Sequence, residues 1–332
     1  MGNRRKIGKS GESSPPGMQL YDDKSGRISK AKFKDNLQFW ILAIPAVAYF
    51  FVFAYIPMFG LVMAFQDFRY DTGILGSEFI GFQNFELFFV TQDFWRITRN
   101  TIAYSSAFIV LGLVVQVTVA LLLFEISRKA LLKFYQTSML LPNFLSWVIV
   151  GYITYILLNP RMGVLGNMLE FIGVIPPGDF IDWYADTVYW PFILTFTNIW
   201  RNVGMGSIIY YAALMGINSE LFEAAKIDGA NKWKQTKHIS IPSLIPMMTI
   251  LSILAVGGLF RGDFGLFFQI PRDVGILYPV TDIIDTYIFR GLVSGNFGET
   301  TAVGMIQSVV GLVLVVVTNL IVRKVNPENS LF

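Results

Sequence analysis

Six long apolar runs constrain this chain more than any other feature of its sequence. They lie at 37–65, 101–124, 135–158, 189–215, 242–262 and 300–322. A hydrocarbon core of ~30 Å is crossed by about 20 helical residues, and backbone polar groups inside lipid must pair within the chain. We therefore expect an all-α, polytopic membrane protein with six transmembrane helices. The first run contains Pro45 and Pro57, so we expect a kink or break toward its outer end.

Composition excludes several other classes of protein. Hydrophobic residues make up 54% of the 332 and charged residues only 15%, which is too apolar for a soluble domain of this length. There is no cysteine and a single histidine, His238, so thiolate metal sites and disulfides are excluded. We expect no metal site, no cofactor and no catalytic residue in this chain.

The distribution of Lys and Arg predicts the orientation. Four segments on one side contain 18 of the 26 basic residues, and the alternate loops contain seven when Arg261, at the end of the fifth run, is counted with them. The richer segments are 1–36, 125–134, 216–241 and 323–332. Because cytoplasmic loops retain the excess of positive charge, both termini are predicted to face the cytoplasm. Residues 1–36 lack the apolar content of a folded core, so the expected organisation is a cytoplasmic segment 1–36, a transmembrane domain 37–322 and a cytoplasmic tail 323–332.

A polar, basic segment, 220–242, separates the fourth and fifth runs. A short helix is predicted from Glu220 to Ile227, followed by a tight turn at Gly229, where glycine costs least, and a resumption at Trp233. A helix–glycine–helix hairpin on the membrane face is shaped to receive another protein or to rest on lipid headgroups. Its predicted side is cytoplasmic.

This segment resembles the EAA loop of the permease subunits of bacterial ABC importers. The residues that carry the resemblance are Glu223, Ala224, Ala225, Gly229, Ala230, Ile239 and Pro242. Asp228 before the glycine is typical of the carbohydrate group that includes the maltose permeases. The stretches 56–70, 81–89 and 281–292 resemble the branch associated with complex or acidic oligosaccharides, so the resemblance covers most of the chain beyond residue 36.

The resemblance implies the fold, the partners and the mechanism. The fold would be that of a type I ABC importer permease in the inner membrane of a bacterium, forming half of an oligosaccharide path that works by alternating access. Its partners would be a second homologous permease, two ATPase subunits that bind ATP and Mg, an extracytoplasmic solute-binding protein and membrane lipid, with no nucleic acid. The expected ATPase-coupling residues are Glu223, Ala224, Ala225, Asp228, Gly229 and Ala230.

Polar residues in the middle of the fourth run are candidates for the substrate path, because polar groups at bilayer depth are costly and usually face a cavity or a partner. Asn198 and Asn202 lie four apart and would either bind sugar hydroxyls or hold two helices together. Trp200 would stack on a sugar ring. Arg201 requires a carboxylate, a cluster of carbonyls or an anionic ligand, and we expect either a carboxylate of the partner permease or the uronate of an acidic sugar.

The fifth run ends in a cluster of glycines. Gly258 and Gly262 form a small-xxx-small pattern, and close packing on another helix is the simplest expectation. Carried over from the maltose permeases by spacing from Glu223, the substrate contacts fall on Arg201, Asn202, Met205, Ala255, Gly258, Leu259 and Gly262. With Asn198 and Trp200, these residues other than Ala255 form the predicted substrate path.

Two other functions remain open at this point. One is a membrane scaffold or binding protein without transport. The other is an ion-driven secondary transporter, which is disfavoured because acids lie only near the ends of the runs, as Glu125 and Glu299 do. The predicted outer loops carry most of the acids, which suggests a receiving platform for a partner. These acids are Asp67, Asp71, Glu78, Asp179, Asp182, Asp186, Asp282 and Asp285.

Overall fold

A computed structural model describes residues 37–176 and 178–325, and this part of the chain is mainly helical. The strands described are β1, Gln66–Asp67, and β2, Glu78–Phe79, which pair antiparallel with Gln66 opposite Phe79. The all-α prediction is confirmed at this level. The predicted cytoplasmic segment 1–36 and most of the tail 323–332 lie outside the described residues.

The chain divides into two units, one ending at Phe59 and the other beginning at Gly60. In the first run, helix α1, Leu37–Phe50, gives way to a π-helical segment, Phe51–Tyr55, and then to a 3-10 helix, Ile56–Phe65. Pro45 lies inside α1 and Pro57 at the start of the 3-10 helix. The expected irregularity toward the outer end of this run is therefore found as a change of helix type.

Four long helices form the frame of the second unit: α4, Asp93–Phe124, α8, Trp190–Met215, α11, Ile241–Gly257, and α15, Phe297–Val325. By length and composition, four helical segments in the described chain can cross a membrane, or five when a bent pair is counted as one span. They are Phe39–Phe65, Asp93–Phe124, Lys232–Gly257 and Phe297–Lys324, with the pair Lys129–Phe144 and Trp147–Leu158. Helix α8 is continuous but too polar to qualify, so six transmembrane helices stay a prediction.

The third apolar run is not one straight helix, which corrects the predicted span 135–158. Helix α5, Lys129–Leu140, continues as a 3-10 turn, Leu141–Phe144, and helix α6, Trp147–Leu158, leaves at an angle of 97°. The break follows from local chemistry. Pro142 lies in the first positions of the 3-10 turn, Leu145 is extended, and the Ser146 hydroxyl caps the new helix by accepting the Ile149 N–H.

The glycine pattern at the end of α11 also differs from its prediction. The helix ends at Gly257, so Gly258 and Gly262 do not share a helical face. The close approach is made one residue earlier, because a Cβ on Gly257 would lie 2.1 Å from Cγ2 of Val315 in α15. A Cβ on Gly258 would meet only the Ala255 carbonyl, at 3.4 Å. The predicted small-xxx-small helical face of Gly258 and Gly262 is therefore wrong, although Gly262 does pack closely, since its Cβ position lies 2.2 Å from Cδ1 of Ile283.

Short helices fill the loops, as the aromatic content predicted. On the side predicted to be external they are α2, Gly73–Gly76, α3, Gln83–Val90, α7, Val164–Phe171, α12, Phe264–Gln269, the 3-10 turn Gly275–Leu277, α13, Tyr278–Thr281, and α14, Ile284–Val293. On the opposite side are α9, Ser219–Ile227, α10, Lys232–Gln235, and the π-helical Thr236–Ser240, which leads into α11.

The core of the second unit follows α8, which packs along α4. One apolar cluster joins Trp190 and Leu194 of α8 to Tyr104 of α4 and Phe267 of α12. A second cluster, toward the other end of the same helices, joins Val117, Tyr210 and Leu244. This packing fixes α12 and the hairpin α9–α10 at opposite ends of α8.

Candidate functional site

The segment between α8 and α11 folds as the predicted helix–glycine–helix hairpin. Asn218 caps α9, because its Oδ1 accepts the Glu220 N–H at 3.0 Å, and Asn231 caps α10 by accepting the Lys234 N–H at 2.9 Å. Between them Gly229 has φ +75°, a left-handed conformation that side chains other than glycine rarely adopt. We call residues 218–235 the hairpin.

Two contacts fasten the hairpin to its surroundings, and a third closes it internally. Lys232 Nζ lies 2.5 Å from Glu125 Oε2 at the end of α4, and the rings of Phe222 and Phe124 are 5.7 Å apart. The Gln235 side chain donates to the Ala230 carbonyl at 2.9 Å and closes the turn. These contacts tie the hairpin to the end of α4, and the chain itself connects it to α8 and α11.

The outer face of the hairpin is open. Of the six predicted coupling residues, Glu223, Ala224, Asp228 and Gly229 are exposed, and Ala225 and Ala230 are half-buried. Large apolar side chains accompany them, with Ile227 88% and Trp233 73% exposed, and Leu221 also exposed. Exposed carboxylates beside apolar side chains form a surface suited to a protein partner. Sequence reasoning selected the motif residues and missed Leu221 and Ile227, although both lie in the same polar segment.

Arg201 in α8 has a partner within this chain, a backbone carbonyl, which is one of the kinds of acceptor expected for it; a partner carboxylate or a substrate stays a prediction. Its Nε and Nη2 donate to the Leu145 carbonyl at 3.3 and 3.2 Å. Its guanidinium lies 4.3 Å from the centroid of the Trp147 ring. The extended backbone at Leu145 frees this carbonyl, so the bend between α5 and α6 provides the compensation that a straight helix would have withheld.

The other candidates on α8 fall into two environments. Asn202 donates to the Asn198 carbonyl at 3.0 Å and accepts from the Asn143 amide at 3.4 Å, so it holds α8 to the bend. Trp200 instead lines an apolar cavity of about 590 Å³ between α6, α7 and α8. Met205 is exposed.

The candidates at the end of α11 and after it line a different cavity. Ala255, Gly258 and Gly262 line a space of about 180 Å³ with Tyr104 and Arg261, and Leu259 is half-buried. The structure therefore brings the candidates after α11 together but separates them from Trp200.

Asp285 lies beside this second cavity. The Gly262 N–H donates to Asp285 Oδ2 at 2.7 Å, and the Gln307 amide donates at 3.1 Å. Burial raises the pKa of the Asp285 carboxyl above its ordinary value, against these two hydrogen bonds. The carboxyl thus fixes the loop after α11 rather than facing a partner.

Asp282 and Asp285 are not part of an exposed acidic platform, which corrects their assignment to the outer surface. The Asp282 side chain is fully buried and accepts from Arg96 at 2.8 Å, Arg290 at 2.6 Å and Thr286 at 2.7 Å. Arg96 and Asp282 are 186 residues apart, so no local pattern signals the pair. Asp67, Asp71, Glu78, Asp179 and Asp182 are exposed as expected, and Asp186 is half-buried.

Comparison with known proteins places this geometry in context. Residues 108–328 match the model of the family described as binding-protein-dependent transport system inner membrane component. The chain is 33% identical to the polygalacturonan/rhamnogalacturonan transport system permease protein YteP of Bacillus subtilis (strain 168), over 87% of this chain and 88% of that protein. It is 31% identical to Protein LplB of the same strain, over 90% of this chain and 92% of that protein.

Two solved structures of ABC transporters also contain chains that match this one. One is the crystal structure of a bacterial ABC transporter involved in the import of the acidic polysaccharide alginate. A chain of it matches with a TM-score of 0.80 and 31% identity, over 89% of this chain and 98% of that one. The alginate ABC transporter in complex with an alginate pentasaccharide-bound periplasmic protein matches with a TM-score of 0.78 and the same identity, over 89% and 97% of the two chains.

Proposed function

The chain belongs to the family of binding-protein-dependent transport system inner membrane components, and we propose that it is one of two transmembrane permease subunits of an ATP-driven importer of oligosaccharides. The relative YteP is named as a permease of a polygalacturonan/rhamnogalacturonan transport system rather than as an enzyme. The observation that carries the proposal is the exposed hairpin, built around the left-handed Gly229, in a chain with the type I permease fold.

The proposed topology has six transmembrane helices, with 37–322 as the permease domain in the inner membrane and both termini in the cytoplasm. The excess of Lys and Arg in the segments that include the hairpin supports this orientation. Reporter fusions after residues 130 and 230 should report the cytoplasm, and fusions near residues 75, 175 and 275 the outside. A hairpin that reports the outside would exclude coupling to a cytoplasmic ATPase.

In the proposed mechanism, two ATPase subunits bind ATP and Mg, and one of them receives the hairpin. Closure of the ATPase pair moves α9 and α10, and the Lys232–Glu125 contact and the chain connections carry this movement to α4, α8 and α11. The helices then open the path outward to a solute-binding protein. The alginate transporter structure that contains a periplasmic protein supports the solute-binding protein as a partner.

The proposed substrate is an oligosaccharide, and an acidic one is favoured by the names of the relatives and neighbours. We retain Asn198, Trp200, Arg201, Asn202, Met205, Gly258, Leu259 and Gly262 as the proposed lining of the path. Arg201 and Asn202 would also fix the bend at Leu145, because two of the five N–H groups of the Arg201 guanidinium and the Asn202 amide donate within the chain.

Co-purification and ATP hydrolysis test this proposal. Glu223→Lys reverses an exposed charge at the centre of the proposed contact and should lower both the yield of bound ATPase and the hydrolysis stimulated by sugar-loaded binding protein. Glu78→Lys makes the same charge change on the opposite side and should leave the yield of bound ATPase unchanged. Equal ATPase yield and equal stimulated hydrolysis in wild type and Glu223→Lys would remove the basis for the hairpin's role.

A further inference from the structure

A third cavity, of about 230 Å³, lies between α6 and the end of α12. Its lining is more polar than that of the cavity beside Trp200 and includes Tyr152, Gln269, Arg272 and Asp273. A Cβ on Gly151 would lie 2.7 Å from the Gln269 carbonyl, so α6 and α12 approach closely at the floor of this cavity. We call it the Arg272 cavity.

Arg272 lines this cavity as an exposed side chain, and no described residue accepts a hydrogen bond from it. Its guanidinium lies 4.2 Å from the centroid of the Tyr155 ring and 5.9 Å from that of Tyr152. Within the described chain, the side chain of Arg272 has neither an ion pair nor a hydrogen bond. The stacking fixes one face of the guanidinium and leaves its N–H groups, which lie in the plane, available for a ligand.

The acid beside Arg272 is occupied elsewhere. Asp273 Oδ1 lies 3.4 Å from an amino group of Arg290 and accepts the Tyr278 hydroxyl at 3.0 Å. Arg272 and Asp273 have φ of 60° and 51°, so two consecutive residues other than glycine hold the left-handed conformation. Such strain is maintained only where the surroundings fix it, and here it turns the two side chains to different partners.

We propose that the Arg272 cavity binds the carboxylate of a uronic acid unit as an acidic oligosaccharide enters the path. The guanidinium fork matches the two oxygens of a carboxylate, and an adjacent aromatic ring offers an apolar face to the sugar. The ring of Tyr152 is 60% exposed at this position. The inference rests on the proposed function and on the proposed outward side of the loop between α11 and α15.

The position of the cavity fits an entry site. Helix α6 begins at Trp147, against which Arg201 stacks, and continues past Gly151 and Tyr152 to Tyr155, against which Arg272 stacks. One face of a single helix thus connects the outer arginine to the bend. Because Arg201 is bound by the Leu145 carbonyl, Arg272 is the better candidate to discriminate a charged sugar from a neutral one.

Uptake by the complete transporter tests the inference. Proteoliposomes that contain both permeases and the ATPase, with ATP inside and binding protein outside, are supplied with trigalacturonate or with its neutral methyl ester. Arg272→Gln should raise the apparent KM for trigalacturonate by about tenfold or more, the loss expected when a charge-assisted hydrogen bond is removed. It should leave the KM for the ester within about twofold of wild type, because a hydrogen bond to an uncharged group contributes less.

Two further variants control for structural effects. Arg272→Lys keeps the charge without the planar fork, so its KM for trigalacturonate should lie between those of wild type and Arg272→Gln. Arg161→Gln removes an exposed charge from a neighbouring loop on the same side and should match wild type for both sugars. A KM for trigalacturonate that is unchanged in Arg272→Gln overturns the inference, whether or not the ester is imported.

The same measurements separate this inference from the proposed function. Wild-type transporter that imports neither sugar, with ATP and loaded binding protein present, contradicts uronic acid oligosaccharides as the substrate, and with them this inference, but not import of another oligosaccharide. Wild-type import with equal losses of both sugars in Arg272→Gln contradicts only the carboxylate site. A loss of ATP hydrolysis stimulated by sugar-free binding protein would assign Arg272 to the protein contact instead and would also overturn the inference.

Discussion

Gly229 gives the sharpest test of the hairpin, because the structure isolates the backbone effect of a substitution. A Cβ on Gly229 would meet no atom within 4 Å, so a larger side chain causes no collision. What it does cause is strain, because φ is +75° and a residue other than glycine in this conformation costs about 1–3 kcal/mol. A shift of that size changes the population of the native turn by about 5- to 150-fold.

The assay is sugar-stimulated ATP hydrolysis by the assembled transporter. Gly229→Val should lower the stimulated rate strongly, because a β-branched residue tolerates this conformation least. Gly229→Asn should lower it less, because asparagine adopts the left-handed conformation more readily than most residues. The order glycine, asparagine, valine is the signature of a backbone requirement.

Gly295 provides the matched control. It has φ +84° and equally open space around its Cβ position, but it lies between α14 and α15, away from the hairpin. Gly295→Val should therefore carry a similar strain and leave coupling intact once the amount of transporter in the membrane is equalised. The reasoning is refuted if Gly229→Val couples like wild type, or if Gly295→Val uncouples to the same degree.

Two further predictions concern stability, measured as the thermal unfolding of the purified transporter followed by tryptophan fluorescence. Asp282→Asn should lower the free energy of unfolding by about 2–4 kcal/mol, because it leaves two arginines without their buried carboxylate. Asp71→Asn changes an exposed pair and should lower it by less than about 1 kcal/mol. Gly257→Leu should lower the unfolding temperature, because its Cβ would overlap Val315. Gly258→Leu has more space and should lower the unfolding temperature less. Equal shifts within either pair of variants would contradict the packing described.

The sequence predicted best what local chemistry determines. The hairpin was predictable because capping residues, helix formers and a glycine occur in the order that a helix, a turn and a second helix require. The positions of the long helices followed from hydrophobicity. The end of α11 did not, because Gly258, Leu259 and Phe260 continue the apolar run beyond the helix. The loop that follows is fixed by Asp285, which accepts the Gly262 N–H.

Contacts between distant segments account for what the sequence could not predict. The pair Arg96–Asp282 joins α4 to the loop before α14, and no periodicity relates the two residues. The same holds for Leu145 and Arg201, whose pairing depends on the bend between α5 and α6. A proline and a serine in an apolar run signal such a bend in principle, but its angle depends on the helices that pack around it.

The bend changes what an arginine at membrane depth signifies in this fold. Such a residue suggests a ligand or a partner chain only when its own chain has no acceptor to offer, and the extended backbone at Leu145 offers one. Charge recognition is therefore better sought where a guanidinium is held by stacking alone. Arg272 meets that condition in the described chain, and its φ of 60° is a costly conformation for a residue other than glycine. An importer of acidic sugars built in this way would sense charge at its entrance and leave the interior of the path to shape and hydroxyl contacts.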